Sequence, residues 1–428
     1  MNFTTQSEME SARRESKPQV VLSGGNIAHY HHAALALQNA GQLKKYFCVF
    51  TGEGDLGILR LFLSSRMKRR LSAKALPDLD RRWMDPIAWP YLTTRFLLQS
   101  GWFSQQQAAA RFNEWYDNVT RRRLPPCDIF HFVNGVGLAT IRRAHDLGYL
   151  TICDIRAEHV DTQEQLLQEE HYQLGLPYQS MRALYRERLL AEYEMADALI
   201  FHSQYVADTF RQQGIASEKI HIVPYGVDLS RFGGQLANDA AVAAHEQNLF
   251  RIIFVGNVIP LKGLHYLIEA FQTLALSDSE LLVVGVIDSE YKGYLDRMFS
   301  QARIRFLGRI PQVDLWRYYG QSSVFVLPSL SDSFGHVVAE AMVAGLPVIV
   351  SENTGAKEMV REGIDGFIVP IRNVTALQEK LQWLYDHPQE RKMMGQQAAQ
   401  QAKQYTWEKY GQQLLLVYEH ILSQKRAK

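Results

Sequence analysis

Two carboxylates lie eight residues apart in a segment whose other residues are mostly apolar. The segment Ser331–Ser351 reads SDSFGHVVAEAMVAGLPVIVS. Its pattern predicts a loop that carries Asp332, an apolar helix that starts at His336 and carries Glu340, and then a buried strand. A carboxylate buried in such a helix needs hydrogen-bond donors or a cation, because desolvating it alone costs several kcal/mol. The pair of acids is therefore a candidate ligand site.

The loop between these acids has the features of an anion site. Ser333, Phe334 and Gly335 bring backbone N–H groups to the start of the predicted helix, where a negative charge is stabilised. Acceptor groups next to an anion site suit a ligand that carries both hydroxyls and phosphates, such as a nucleotide sugar. The spacing of the two acids alone also fits an acidic helix cap followed by an ordinary helix.

The complete pattern resembles a known signature. A carboxylate, one residue, Phe-Gly, four residues and then Glu-Ala-Met-x-x-Gly-x-Pro-Val-Ile is similar to the motif of the retaining nucleotide-sugar glycosyltransferases of family 4. Asp332 stands where that family usually has Glu. The resemblance implies that Glu340 holds the ribose hydroxyls of the donor and Asp332 a hydroxyl of the donor sugar. It also implies that backbone amides near Phe334 and Gly335 hold the diphosphate.

A second element, Phe254–Gly263 (FVGNVIPLKG), resembles the FVGR…KG element of the same family. The resemblance implies that Lys262 pairs with the donor diphosphate as a point charge. Asn257 stands where the family commonly has Arg. Arg309, after the predicted strand Ile304–Gly308, stands where the base-contacting loop of the family runs. A solvated lysine at a helix start is the alternative interpretation of Lys262.

The first half of the chain offers weaker candidates. Gly24 and Gly25 follow the first predicted strand, where glycines let the backbone approach a phosphate or a sugar, although they do not complete a GxGxxG motif. In the family, a glycine loop here faces the donor phosphates. Asp154, Arg156 and His159 follow another predicted strand, and family members have a His or Asp in this neighbourhood that touches the transferred sugar. Polar residues of a surface loop or a plain turn would look the same.

Twelve short apolar runs divide the chain into two halves. Helical patterns separate most of these runs, which is typical of parallel, doubly wound sheets. Six runs precede the polar, glycine-containing stretch Asp228–Asn248, and six follow it. The runs are Gln19–Ser23, Tyr46–Phe50, Ile129–Val133, Leu150–Asp154, Ala198–Ser203, Ile220–Pro224, Arg251–Gly256, Leu281–Val286, Ile304–Gly308, Val324–Pro328, Pro347–Ser351 and Phe367–Pro370.

The resemblance implies an α/β protein of the GT-B fold, with two Rossmann-like domains and a cleft between them. We expect a disordered tail at residues 1–18, a first domain at 19–228, a linker at 229–250 and a donor domain at 251–404. The helical pattern of Tyr405–Leu422 contains a Trp-Glu pair that, in GT-B enzymes, marks a helix crossing back to the first domain. We therefore assign residues 405–424 to that helix.

Composition narrows the class of partner. The chain has 428 residues, 46% of them hydrophobic and 21% charged, and a net charge of +1, so nucleic acid is not an expected partner. The three cysteines have no metal-binding spacing, and the start of the chain has no apolar leader, so we expect a cytoplasmic protein with reduced thiols. Asp78-Leu79-Asp80 follows no predicted strand, and we expect no metal or cofactor.

Residues 57–76 (GILRLFLSSRMKRRLSAKAL) contain six cations and no acid, interleaved with apolar residues. A basic amphipathic segment of this kind can lie on an anionic bilayer. We predict peripheral contact with the inner face of the membrane through this segment. A helix that packs on the core and exposes a basic face, or a site for an anionic acceptor, would show the same pattern.

The resemblance implies a retaining, metal-independent glycosyltransferase that moves a hexose-type sugar from a nucleoside-diphosphate sugar to a hydroxyl of a sugar or lipid-linked acceptor. We expect Lys262, Asp332 and His159 to be its catalytic residues. Two alternatives stay open. One is another GT-B enzyme, such as a phosphorylase or an epimerase. The other is a non-catalytic nucleotide-sugar-binding protein, since Asp332 and Asn257 both depart from the family pattern.

Overall fold

The computed structural model of the protein describes residues 17–24, 28–50, 78–180, 185–229, 249–299 and 302–427. Within these ranges the chain forms two parallel β-sheets. The predicted basic segment 57–76 lies outside the described residues. So do most of the predicted tail and of the predicted linker, and those boundaries stay predictions. None of the helices in the described ranges combines the length and the apolarity needed to cross a bilayer.

The first sheet has the strand order β3-β2-β1-β4-β5-β6-β7, and all its described pairs are parallel. Its strands are Val20–Ser23 (β1), Leu43–Cys48 (β2), Met84–Pro86 (β3), Ile129–Val133 (β4), Leu150–Asp154 (β5), Ala198–Phe201 (β6) and Ile220–Ile222 (β7). Val20 on β1 lies opposite both Leu43 on β2 and Ile129 on β4. The strand order reverses between β1 and β4, the kind of position where doubly wound sheets bind ligands.

Helices connect these strands and cover both faces of the sheet. They are Ala28–Ala40 (α1), Ala88–Gln99 (α2), Gln105–Arg123 (α3), Leu138–Asp146 (α4), Val160–Gln173 (α5), Arg186–Met195 (α6) and Gln204–Gln212 (α7). Every residue of β4, β5 and β6 is buried. Because parallel strands are covered on both faces, they read in the sequence as continuous apolar runs.

The second sheet repeats this plan with the order β10-β9-β8-β11-β12-β13. Its strands are Phe250–Val255 (β8), Ser279–Val284 (β9), Ile304–Gly308 (β10), Val324–Leu327 (β11), Val348–Ser351 (β12) and Gly366–Val369 (β13). Its helices are Leu264–Leu274 (α8), Ser289–Met298 (α9), Leu315–Gly320 (α10), His336–Val343 (α11), Val374–Asp386 (α12) and Pro388–Ala402 (α13). The strand order reverses between β8 and β11.

Each of the twelve predicted runs overlaps a strand, and one described strand was not predicted. The missed strand, β3, is three residues long and reads Met-Asp-Pro. Its Pro86 lies opposite Cys48 of β2. A proline is tolerated there because β3 is an edge strand, but a short run with an acid and a proline carries no strand pattern.

The predicted return of the C-terminal helix to the first domain is confirmed. Helix α14 (Trp407–Ala427) packs on α1, and its Gly411 lies so close that a Cβ atom there would be 2.7 Å from that of Ala36. The Tyr418 hydroxyl is 2.6 Å from Nδ1 of His131 on β4. The indole of Trp407 stacks on His32, with ring centres 3.8 Å apart. Helix α14 therefore ties the two domains together.

A buried carboxylate connects the two domains on the other side. Glu170 on α5 has one oxygen 2.9 Å from His265 Nε2 and 3.0 Å from the Tyr266 hydroxyl, both on α8. Its other oxygen accepts a hydrogen bond of 2.9 Å from Nε of Arg372, which precedes α12. Burial opposes the ionised form of Glu170, but His265, Arg372 and Tyr266 outweigh it and lower the pKa of the carboxyl. The ion pair is therefore charged at neutral pH.

We expect Glu170→Gln to weaken the contact between the domains. Removing one partner of a buried, hydrogen-bonded charge pair costs about 2–5 kcal/mol, which shifts the protein towards open arrangements. Small-angle X-ray scattering should show a larger radius of gyration than in the wild type. Glu169→Gln is the matched control, since Glu169 is 41% exposed and 3.5 Å from Arg372. Identical scattering of the Glu170 variant and the wild type would contradict this role.

Candidate functional site

Two loops that follow the adjacent strands β8 and β11 meet at the carboxyl edge of the second sheet. The first loop ends in a 3-10 turn, Pro260–Lys262, and the second carries Asp332. Nζ of Lys262 lies 2.5 Å from Oδ2 of Asp332, although seventy positions separate the two residues. Each side chain is 18% exposed. The pair is therefore mostly enclosed but reachable from the cleft.

The carboxylate of Asp332 is held from three directions. Its Oδ1 accepts hydrogen bonds from the N–H groups of Gly335 at 2.7 Å and of Phe334 at 3.3 Å. Burial disfavours the charged carboxylate, but Lys262 and these two amides outweigh it and lower the pKa of Asp332. The predicted diphosphate ligands, the amides of Phe334 and Gly335, are thus engaged by Asp332 in this structure.

Glycines let these loops come together. Gly263 has φ +64°, and a Cβ atom there would lie 2.1 Å from the carbonyl oxygen of Pro328, at the end of β11. Gly335 has φ +74°, and a Cβ atom there would lie 2.8 Å from the Cβ of Ala356. A side chain at either position would combine a strained backbone with a clash. The two glycines therefore set the distance between Lys262 and the start of α11.

The second predicted acid, Glu340, lies on α11 and is 7% exposed. One of its oxygens accepts a hydrogen bond of 2.7 Å from Gln312, and the other lies 3.3 Å from the Tyr319 hydroxyl. Gln312 belongs to the loop that follows β10, and the exposed Arg309 is in the same loop. The structure therefore brings Glu340 next to the loop predicted to contact the base. Asn257 is exposed in the loop after β8.

Opposite these loops, the first domain presents the end of β1. Gly24 follows β1, and a Cβ atom there would lie 2.1 Å from the ring of Tyr30, so only glycine fits. Its predicted neighbour Gly25 lies outside the described residues. Ser203, which caps α7, donates a hydrogen bond of 2.7 Å to the carbonyl of Ser333. This bond joins the first domain directly to the loop between Asp332 and α11.

The start of α4, which follows β4 at the reversal point of the first sheet, is occupied by the protein itself. Glu192 accepts hydrogen bonds from the N–H groups of Gly137 at 2.8 Å and Leu138 at 3.0 Å. Asp117 accepts from the N–H groups of Ala139 and Thr140. Burial raises the pKa of Glu192 to about 7, although a neighbouring arginine and the amides oppose the shift. These internal acids leave no room for a ligand phosphate at this helix start.

The structure places His159 differently from the other candidates. It is 4% exposed, and its Nδ1 accepts a hydrogen bond of 3.3 Å from the N–H of Asp161, so it caps α5. Its backbone N–H donates to Thr209, and its ring contacts Tyr193 and Phe210. Burial lowers the pKa of His159. This is the position of a buried cap, and the catalytic role of His159 stays a prediction without support from its surroundings.

Two aromatic side chains that were not predicted lie between the domains. The ring of His336, the first residue of α11, stacks on Tyr225 with centres 5.0 Å apart, and the Tyr225 ring also contacts Phe334. Tyr225 belongs to the segment Ile222–Asp228 (IVPYGVD), which was not among the predicted site residues. A stack between residues more than a hundred positions apart has no periodic signal in the sequence.

Beneath Tyr225, three histidines surround Asp154 at the end of β5. His29, His131 and His202 place Nε2 atoms 3.5, 3.6 and 2.9 Å from its carboxylate oxygens. Burial works against the charged Asp154, but His202 and His29 outweigh it and lower its pKa well below the usual range. Desolvation lowers the pKa of His29 to about 4. The sequence analysis singled out Asp154 but none of these histidines, which come from three separate elements.

A cation, a helix start and two carboxylate acceptors thus lie at the reversal point of the second sheet. Such a set can bind a ligand that has anionic and hydroxyl groups.

Comparison with solved structures identifies the class of protein. The structural alignment with sucrose-phosphate synthase from Thermosynechococcus elongatus covers 95% of this chain and 100% of the synthase chain, with a TM-score of 0.64 and 18% sequence identity. Anabaena Alr3699/HepE, solved with UDP-glucose, covers 94% and 100% with a TM-score of 0.62, at 16% identity. The protein has the GT-B fold.

Family models identify the group within this class. Residues 85–231 match the model described as Glycosyltransferase Family 4, and residues 237–401 match the model described as Glycosyl transferases group 1. The chain belongs to glycosyltransferase family 4. A D-inositol 3-phosphate glycosyltransferase from Kribbella flavida is 31% identical over 250 residues, which are 54% of this chain and 59% of the relative. The chain spans between half and three fifths of the length of the first curated relatives that it matches.

Proposed function

We propose that the protein is a retaining glycosyltransferase that moves a hexose-type sugar from a nucleoside-diphosphate sugar to a hydroxyl acceptor. The observation that carries this proposal is the ion pair of Lys262 and Asp332 next to the start of α11, with Glu340 on the same helix. The lysine supplies the positive charge that a diphosphate needs. The acids supply acceptors for hydroxyls. Family membership and the UDP-glucose bound in HepE support a nucleotide sugar as the donor.

In the proposed reaction, Lys262 stabilises the diphosphate as it leaves. The first-turn N–H groups of α11, at His336 and Val337, have no acceptor within the helix and would donate hydrogen bonds to the diphosphate. Asp332 holds a hydroxyl of the sugar, and Glu340 holds the ribose. The acceptor attacks from the face that the diphosphate leaves, and the departing phosphate takes its proton. The charge of Lys262 lets this proposal work without a catalytic metal.

The two alternatives make different use of the same site. A phosphorylase would use phosphate in place of a hydroxyl acceptor, and an epimerase would convert the nucleotide sugar itself. Neither enzyme would glycosylate a hydroxyl acceptor. A non-catalytic binding protein would hold the nucleotide sugar intact, and the departures at Asp332 and Asn257 favour it. Slow release of nucleoside diphosphate by the purified protein would favour an enzyme, and screening acceptor hydroxyls would then separate transfer from the other reactions.

We expect Glu340→Gln to weaken donor binding while the fold survives. Loss of a charged hydrogen-bond acceptor costs about 1.5–3 kcal/mol, which is roughly a 10- to 100-fold rise in the dissociation constant. Isothermal titration calorimetry with UDP-glucose, the nucleotide sugar bound in the HepE structure, measures this dissociation constant. Tyr319→Phe is the control, since it removes a hydroxyl next to Glu340 but keeps the carboxylate. Unchanged affinity together with a large loss of thermal stability would make Glu340 a structural group.

We expect Lys262→Ala to reduce kcat by about 10²–10³-fold and to change KM less, since the charge on the diphosphate grows towards the transition state. Steady-state kinetics of nucleotide release measure both constants. Lys292→Ala is the control, because this exposed lysine pairs with Asp296 on α9. The double variant Lys262→Ala/Asp332→Asn shows whether the loss comes only from an unpaired Asp332. Near-normal kcat in Lys262→Ala would exclude the phosphate role.

We also propose that the protein attaches to an anionic membrane through its first domain. The predicted segment 57–76 supplies the cations, and the described hairpin of α2 and α3 supplies apolar side chains. Trp89 and Phe96, seven positions apart on α2, are 67% and 68% exposed, and Trp102 in the following turn is 77% exposed. Aromatic side chains are favoured at the interface between a bilayer and water. This arrangement would place the cleft near a lipid-linked acceptor.

We expect Trp89, Phe96 and Trp102, changed together to Ser, to reduce co-sedimentation with vesicles that contain anionic lipid at low salt. Replacing Arg66, Lys68, Arg69 and Arg70 by Ser should also reduce co-sedimentation, since each cation near the surface contributes about 1 kcal/mol. High salt should reduce co-sedimentation of the wild type in the same way, because it screens these charges. The control changes Val313 and Leu416 to Ser, which are 72% and 63% exposed elsewhere on the protein. Equal sedimentation of all variants and the wild type would remove the first domain as an anchor and favour a soluble acceptor.

A further inference from the structure

The strongest unexplained feature is the cluster of Asp154, His29, His131 and His202, which we call the Asp154 cluster. Its members come from the ends of β5 and β6, from β4 and from the first turn of α1. Their exposed fractions are 0% for Asp154 and His131, 3% for His202 and 6% for His29. The proposed transfer reaction uses none of them. A buried carboxylate that faces three imidazoles needs a positive charge to compensate for its desolvation.

One hydrogen bond fixes which ring nitrogen of His202 carries the hydrogen in the neutral side chain. Its Nδ1 lies 2.8 Å from the carbonyl oxygen of Val223, so Nδ1 carries the hydrogen. In the neutral ring, Nε2 then presents a lone pair towards Oδ1 of Asp154, 2.9 Å away. Two lone pairs at this distance repel unless a proton or a metal ion lies between them. A backbone carbonyl that fixes the tautomer of a histidine is also typical of metal ligands.

Two atoms of the Asp154 cluster distinguish a proton from a metal. Among the described residues, Oδ2 of Asp154 and Nε2 of His131 are buried and have no hydrogen-bond partner within 3.5 Å, and the two atoms lie 3.6 Å apart. A proton on His202 satisfies Oδ1 but leaves both of these atoms unsatisfied, at a cost for each of them. A cation bound by the cluster compensates Oδ2, and a small turn of the His131 ring adds a nitrogen ligand. The cluster therefore fits a cation better than it fits one additional proton.

The distances agree with a small coordination sphere. The ligand atoms of His29, Asp154 and His202 lie within 4.8 Å of one another. Nε2 of His29 is 3.5 Å from Oδ2 of Asp154 and 3.1 Å from the hydroxyl of Tyr225. Zinc–ligand bonds of about 2.0–2.1 Å place the atoms of a tetrahedron about 3.3 Å apart. Nitrogen-rich sets with one carboxylate suit zinc-like divalent ions better than magnesium or calcium.

We propose that the Asp154 cluster binds one zinc-like divalent metal ion through His29, Asp154 and His202, with His131 as the nearest further ligand. The burial of the ligands makes this a closed, structural site. It joins four elements at the carboxyl edge of the first sheet. Tyr225, stacked on His202 with ring centres 3.5 Å apart, connects the site to the floor of the cleft. The proposal does not rest on the proposed function, since the proposed transfer reaction uses none of these four side chains.

The test starts from the full-length protein, purified without a histidine tag and without chelators. We expect elemental analysis to find about one zinc per chain. We expect dialysis against a chelator to lower the melting temperature, and zinc but not magnesium to restore it by mass action. Cobalt added to the metal-free protein should give the visible absorption bands of a four-coordinate site. These readouts do not depend on enzyme activity, so they separate this proposal from the proposed function.

Variants assign the metal to the cluster. Asp154→Asn and His202→Gln should each lose the bound zinc and the cobalt bands, and circular dichroism checks that each variant folds. Tyr418→Phe, which removes the hydroxyl 2.6 Å from His131, should weaken zinc binding by about 10- to 100-fold or less, as an outer partner does. His221→Gln is the control, because His221 and His420 form a separate histidine pair in the same domain. It should keep the full zinc content.

Two results would overturn the proposal. One is a wild-type protein that contains no zinc, shows no zinc-dependent change in melting temperature and gives no cobalt bands, which would mean that protons alone hold the cluster. The other is zinc that stays bound in the folded His202→Gln variant but is lost in His221→Gln. That result would mean that the zinc is an adventitious ion bound at the His221–His420 pair and not in the Asp154 cluster. If Asp154→Asn does not fold, the wild-type cobalt spectrum and His202→Gln still decide the question.

Discussion

The ion pair between Lys262 and Asp332 is the interaction on which the candidate donor site depends. It closes because β8 and β11 are neighbours in a parallel sheet, so that the loops after them share one edge. Gly263 brings the lysine loop against the end of β11, and Gly335 turns the acid loop into α11. Asp332 also accepts hydrogen bonds from two backbone N–H groups at the helix start. Its carboxylate therefore holds Lys262 and the start of α11 in fixed positions relative to each other.

Buried carboxylates have distinct roles elsewhere in the molecule. Glu192 and Asp117 occupy the start of α4 in the first domain, which leaves the corresponding helix start of the second domain as the candidate anion site. Glu170 joins the domains through an ion pair. Asp154 lies below the cleft among three histidines. In each case the cost of burying a charge is offset by partners from other elements, which is why each acid connects parts of the chain that are distant in sequence.

The closed arrangement of the cleft depends on contacts from both domains. Ser203 bonds to the carbonyl of Ser333, and Tyr225 stacks on His336, so the loop that carries Asp332 contacts the first domain at two places. Helix α14 returns to the first domain and begins with Trp407 stacked on His32. A movement between the domains would therefore change the surroundings of the donor site, since the same side chains line the cleft and join its walls.

The sequence alone determined the local and repeated features. Short apolar runs predicted twelve of the thirteen described strands, and β3 was missed because an edge strand of three residues that ends in proline carries no pattern. The motif with Phe334, Gly335 and Glu340 predicted the second domain and its site because those residues are close along the chain. Only the tertiary structure decided the rest. It showed His159 as a buried cap and gathered His29, His131 and His202 around Asp154, because contacts between distant elements depend on strand order and helix packing, which leave no spacing in the sequence.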